Sequence, residues 1–131
     1  MTRKDFTVEH YMTREPATVA PGDSLQHALT VMQDRGFRHL PVVDGGTLKG
    51  VLSERDAKTA LGIRGADVKR MTVQDVFSPD PYVTHPNAPL KMVAQEMAEK
   101  RYGSAVVMEM SSVVGIVTTT DLARALAEVL P

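Results

Sequence analysis

The chain has 131 residues, 43% of them hydrophobic, enough to bury a real core but only one compact domain's worth of material. Fifteen Lys and Arg against sixteen Asp and Glu leave a formal net charge of −1, so no global positive field exists to draw in nucleic acid. The lack of cysteine excludes disulfides, thiolate nucleophiles and cysteine-based zinc or iron–sulfur centres.

The N-terminal stretch "MTRKDFTVEHYM" has early charges with no apolar run behind them, and no apolar run elsewhere approaches the roughly 20 residues of a membrane span, which predicts a soluble, cytoplasmic protein. A Pro-punctuated extended segment, "EPATVAP", comes next. Leu25, Ala28, Leu29 and Met32 then follow the i, i+3, i+4, i+7 spacing of a half-buried helix, with Asp23 or Ser24 to cap its start and Gly36 just past its end. Two β-type runs, "HLPVVD" and "LKGVLS", are joined by Gly45-Gly46, a link short enough for a tight hairpin. A second helix follows. The stretch "GIRGADVKR" reads as a linker, and the same order then returns: "DPYVTHP", a helix on Leu90, Val93, Ala94 and Met97 with Asn87 and Gly103 at its ends, the runs "SAVVME" and "VVGIVT" joined by Ser111-Ser112, and the helix "DLARALAEVL".

The return is in register. Gly50 and Gly115 lie 65 positions apart, as do Asp56 and Asp121, Thr7 and Thr72, Val8 and Val73, Pro16 and Pro81, Met32 and Met97. The chain is therefore one β-α-β-β-α unit written twice, over residues 1–65 (with an N-terminal arm) and 66–131, and the sheets of the two copies are expected to bury against each other.

Each copy carries one G-x-x-[ST]-x-x-D heptapeptide, "GVLSERD" at 50–56 and "GIVTTTD" at 115–121. Ser53 with Asp56, and Thr118 with Asp121, have the spacing of a helix capping box, in which a hydroxyl accepts a backbone N–H and an acidic residue three positions on returns a bond. The same residues suit a ligand: the glycine admits close approach, the hydroxyl and free N–H groups lie at the positive helix end, and the carboxylate accepts from a diol. A ribose carrying a phosphate meets those demands. From the residues alone both readings stand.

The element order, the two copies and the stretches "YMTREPATVAP", "HLPVVD", "GVLSERD", "VFSPDPYVTHP", "SAVVME" and "GIVTTTD" resemble the CBS (cystathionine β-synthase) domain pair, or Bateman module, across nearly the whole chain. The resemblance implies an α/β fold of two repeats packed sheet to sheet with pseudo-twofold symmetry, and clefts between them that hold an adenosine-containing ligand. It implies one pocket from Ser53, Asp56, Val83, Thr84, Ser104 and Ala105, and another from Thr118, Asp121, Thr18, Val19, Arg38 and His39. Arg38 and His39 stand where many nucleotide-binding relatives place basic residues against phosphate; their counterparts Gly103 and Ser104 carry no charge.

Other chemistry is sparse. His10, His27, His39 and His85 show no H-x-H or H-E-x-x-H spacing, so no metal site is expected, and neither a Walker loop nor a nucleophile beside a base is present. The expected function is a non-catalytic regulatory module without a cofactor, binding AMP, ADP or ATP in preference to other adenosine compounds. S-adenosylmethionine, NAD and cyclic dinucleotides share the handle. The resemblance also implies a homodimer; apolar residues expected to be exposed make "DLARALAEVL" and "LQHALTVM" its expected contact helices, and an unknown client protein is a further expected partner. The rival expectation is a protein-interaction module without a physiological nucleotide, its motifs serving only as helix caps.

Overall fold

The structure, a computed structural model, describes residues 6–63, 65 and 67–131; residues 1–5 and positions 64 and 66 of the expected linker lie outside the described residues. In chain order the elements are α1 (Val8–Tyr11), β1 (Thr13–Arg14), α2 (Leu25–Arg35), β2 (His39–Asp44), β3 (Thr47–Ser53), α3 (Glu54–Leu61), a 3₁₀ turn (Val73–Asp75), β4 (Ser78–Pro79), β5 (Val83–Thr84), α4 (Leu90–Lys100), β6 (Ser104–Glu109), β7 (Ser112–Thr118) and α5 (Thr119–Val129). The fold is mixed α/β with the repeated order that the sequence predicts.

The contacts divide the chain elsewhere than the sequence repeats do. One compact unit is Pro16–Pro81; the other joins the residues up to Glu15 to Tyr82–Pro131. The reason is an exchange of arms, in which the segment before each repeat's extended start pairs with the other repeat's sheet. In the discontinuous unit, β1 adds antiparallel to β7, with Thr13 opposite Ile116 and Arg14 opposite Gly115, giving the sheet β1-β7-β6-β5. In the continuous unit β4 adds to β3, with Ser78 opposite Val51 and Pro79 opposite Gly50, giving β2-β3-β4. Each arm also supplies a core residue. Val8 is fully buried with Ala88, Val93, Val107 and Val117, and Val73 with Leu25, Met32, Leu40 and Leu52. Fully burying one such side chain contributes about 1.5–3 kcal/mol.

The helices sit where the periodicity predicts them, with Leu25, Ala28 and Met32 of α2 and Leu90, Val93 and Met97 of α4 facing the cores. Their ends are less alike than the sequence suggests. Ser24 caps α2, accepting the His27 N–H at 3.0 Å, whereas α4 begins after Pro89 without a side-chain cap, so Asn87 is not its cap. Gly36 closes α2 in the left-handed region at φ 74°; in the second copy that conformation falls on Arg101 at φ 59°, the in-register counterpart, and not on Gly103. The second hairpin also turns one residue earlier than expected. Ser112 is already paired with Glu109, so the two left-handed positions demanded by a tight turn fall on Met110 and Ser111.

Both motif glycines have a structural cause. A Cβ on Gly50 would run into the Ser78 carbonyl and the Phe77 ring, and one on Gly115 would run into the Met12 side chain, with the Thr13 carbonyl 3.1 Å away. The group admitted by each glycine is thus the exchanged arm itself. Because a backbone carbonyl cannot swing aside as a methionine can, Gly50→Ala is expected to destabilise by about 1–3 kcal/mol and Gly115→Ala by less. Urea denaturation of the two variants checks the order; equal losses would show that the arm strands yield freely.

Candidate functional site

In the continuous unit, β3 runs out at Ser53 and α3 begins at once. The Ser53 Oγ accepts the Asp56 N–H at 3.1 Å, a half-formed capping box. Asp56 is exposed, and among the described residues its carboxylate accepts no hydrogen bond. Strand β2 pairs His39 with Ser53, and the Arg38 carbonyl accepts the Glu54 N–H at 2.8 Å. This brings Arg38, His39, Ser53 and Asp56 together at one helix start. Arg38 is exposed and forms no ion pair among the described residues.

His39 is half-buried, and its Nδ1 is buried without a hydrogen-bond partner. Burial pushes the imidazole below its ordinary value of 6.5; Asp56 opposes the shift, Arg38 reinforces it, and Glu54 again opposes it. The ring is therefore neutral at pH 7. In this structure His39 thus offers a hydrogen-bonding nitrogen, and Arg38 alone of the two carries charge. Nearby Thr18 is exposed, while Val19 is 3% exposed with both backbone groups bonded, its N–H to Pro41 at 3.1 Å and its carbonyl to Val43 at 2.8 Å. Val19 shapes this region without offering a free polar group.

The second motif is built differently. Asp121 is 3% exposed, and its Oδ2 accepts from the Thr118 N–H at 2.9 Å and the Thr118 hydroxyl at 3.1 Å, a complete capping box for α5. Its Oδ1 accepts from the Thr13 hydroxyl at 3.0 Å and lies 3.5 Å from Arg124 Nη1. Ser104 lies opposite Thr118 in the β6–β7 ladder and Ala105 is fully buried; Val83 is exposed, and Thr84 is buried where β5 runs parallel to β6. Beside them the Tyr82 and Tyr102 rings stack with centroids 5.3 Å apart. Residues of α1 and α5, His10, Tyr11, Asp121, Arg124, Ala127 and Glu128, line a groove of about 420 Å³. Sequence reasoning missed Thr13, Arg124 and the tyrosine pair. Arg124 was within reach of it, three residues after Asp121 on a helix; Thr13 was not, since its bond depends on strand pairing 108 positions away.

Among the described residues no three His, Asp or Glu side chains gather as a metal-holding group, and no helix is long and apolar enough to cross a membrane.

A model of the CBS domain matches residues 8–63 and again residues 73–128. The chain belongs to the CBS domain family and carries the domain twice, as a CBS pair. It is 32% identical over 117 residues to the CBS domain-containing protein YhcV of Bacillus subtilis (strain 168), covering 89% of this chain and 83% of that one. Among solved structures, CBSX2 of Arabidopsis thaliana in complex with AMP matches with a TM-score of 0.80 and 26% identity, over 95% of this chain and 98% of that one. The CBS domain pair of protein MJ0100, in complex with 5′-methylthioadenosine and S-adenosyl-L-methionine, matches with a TM-score of 0.83 and 25% identity over 93% and 96%. The chain spans only 22% to 24% of the length of its curated relatives that are enzymes, so what it shares with them is the CBS region.

The buried imidazole makes stability depend on pH with a definite sign. A folded-state value below 6.5 means that the unfolded chain takes up the proton first, so His39's contribution is intact above about pH 6.5 and drains away as the pH falls through the lowered folded value. In urea denaturation from about pH 7.5 to 5.5, His39→Gln should lose less stability than wild type. Parallel pH profiles for the two proteins would show that the ring titrates alike folded and unfolded.

Proposed function

We propose that this chain is a non-catalytic regulatory module that binds an adenosine-containing ligand, with AMP, ADP or ATP favoured, and passes occupancy on through its conformation or assembly. The observation that carries the reading is the cluster at 38–56. There, among the described residues, a carboxylate that accepts no hydrogen bond, a hydroxyl at a helix start, an arginine without an ion pair and a buried ring nitrogen without a partner lie at one helix start. A ribose diol suits Asp56, and a phosphate suits Arg38 and the N–H groups at the start of α3. AMP in CBSX2, and the two adenosine compounds in MJ0100, support the same ligand class. Of the other contacts that the resemblance implies, Val83, Thr84, Ser104 and Ala105 are kept for the base of a ligand at Asp56, and Thr18 and Val19 for the base of one at Asp121, Val19 and Ala105 through the backbone shape that their buried side chains fix. Thr118 and Asp121, which the resemblance assigns to a second ribose, are taken up in this structure as the cap of α5.

One observation favours the rival reading, a protein-interaction module. The complete capping box at Thr118 and Asp121 is what a motif kept only for helix termination would show.

Assembly is part of the proposal. Leu126, Val129 and Leu130 at the end of α5, and Met92 on α4, are about half exposed, whereas α2, an expected contact helix, exposes no large apolar side chain. We assign the contact to α4 and α5, so that two copies of this chain cover their own apolar faces.

Three measurements test these statements. Asp56→Ala should weaken AMP binding by roughly 1.5–3 kcal/mol, the cost of a charge-assisted hydrogen bond, while a pure cap would lose stability and keep its affinity. Calorimetry should find AMP bound more tightly than adenosine, with Arg38→Ala removing most of the difference, on the order of 1–3 kcal/mol; equal affinities in wild type would leave Arg38 a surface residue. In sedimentation at micromolar concentration the protein should run as a dimer and Leu126→Glu as a monomer. A monomeric wild type, with and without AMP, removes the assembly claim.

A further inference from the structure

The two motif copies are written alike, yet their carboxylates stand in opposite states. A carboxylate has about four lone-pair positions. At Asp121 the Thr118 N–H and hydroxyl fill Oδ2, and the Thr13 hydroxyl and Arg124 fill Oδ1. Arg124 is the weaker holder, at 3.5 Å with its side chain 74% exposed. Thr13 is not so easily moved. It is fixed in β1 opposite Ile116, and the next residues continue the pairing, the Glu15 N–H donating to Val114 at 3.2 Å. At Asp56 nothing comparable occurs. The in-register counterpart of Thr13 is Ser78, which is exposed, and its hydroxyl makes no hydrogen bond among the described residues.

We infer that Thr13 is the residue that decides which copy of the motif accepts a diol. By occupying the acceptor position on Asp121 that a ribose would need, it turns the second copy into a helix cap, and the diol is left to Asp56. This rests on the adenosine reading above and deepens it: the ligand's 2′- and 3′-hydroxyls are read by one copy, and the arm that crosses from the start of the chain closes the other. A ligand could enter at Asp121 only by taking the place of the Thr13 hydroxyl, so removing that hydroxyl should open a second site instead of weakening an existing one.

Isothermal titration with adenosine, and with 2′,3′-dideoxyadenosine as the diol-free control, tests this on the full chain. Wild type should take up a single equivalent of adenosine, and Asp56→Asn should abolish the uptake. Thr13→Val should gain a second equivalent for adenosine and none for the dideoxy compound, the gain vanishing in the double variant with Asp121→Asn. The new site should bind at least on the order of tenfold more tightly than the Asp121 site of wild type, the equivalent of about one hydrogen bond. Ser78→Val should change nothing. The contrast between Asp56→Asn and Asp121→Asn in an otherwise wild-type chain decides the matter if Thr13→Val does not fold. Adenosine uptake that survives Asp56→Asn and is lost in Asp121→Asn, or a folded Thr13→Val without new uptake, overturns the inference while leaving the adenosine reading in place. No uptake by either wild type or Thr13→Val removes the adenosine reading, and this inference with it.

Discussion

The backbone of one arm lying against a bare glycine is the contact on which the rest of this molecule depends. At Gly50 and at Gly115 the middle of a core strand carries no side chain, and a two-residue strand from the far side of the sequence fills the space. Once those strands are seated, Val8 and Val73 have cores to enter, and the start of α3 or α5 has a fixed neighbour. A glycine that seemed to be kept for a ligand is kept for the chain itself. The motif therefore mixes two requirements, one architectural at its first position and one chemical at its fourth and seventh.

The chemical positions have diverged between the copies although the letters have not. Burial at 3% commits Asp121 to its hydrogen bonds, because a carboxylate removed from water must be paired. Asp56, in water, is under no such obligation and stays free to accept. The electrostatic surroundings follow the same division. Arg124 leans toward Asp121, whereas Arg38, without an ion pair among the described residues, stands at the helix start that Asp56 shares with a neutral His39. CBSX2 holds AMP and the MJ0100 pair holds two adenosine compounds; the divergence between the two motif copies is read from the contacts of this chain.

What could be read from the sequence was whatever local spacing encodes. β2 and β6 lie on "HLPVVD" and "SAVVME" as written, and the apolar faces of α2 and α4 follow their i, i+3, i+7 residues. The misses came where register overrode residue preference. Arg101 and Met110 hold left-handed conformations that nothing in their chemistry advertises, because the fold needs that geometry at the positions matching Gly36 and Gly45. The nearby Gly103 and Ser112 were attractive substitutes on propensity alone. At the site, composition identified the hydroxyl, carboxylate and basic residues, but it could not tell a filled carboxylate from an open one. That distinction depends on Thr13 and on burial, both products of pairing between remote strands.

The exchange of arms also orders the birth of the molecule. Pro16–Pro81 is one uninterrupted stretch, so everything it packs against itself has been synthesised by the time Pro81 appears. The other unit is split: its arm emerges before the whole of the continuous unit, while its strand partner at Gly115 and Ile116 emerges after it. Bringing the two together closes a long loop, at an entropic cost that grows only slowly with length but cannot be met before the partner exists. On the ribosome the continuous unit can therefore fold at once, while Val8, Tyr11 and Met12 wait uncovered until β7 has been made. The arm is made before its partner and seated after it, and during that interval a second nascent copy offers its Gly115 strand as an equally good partner.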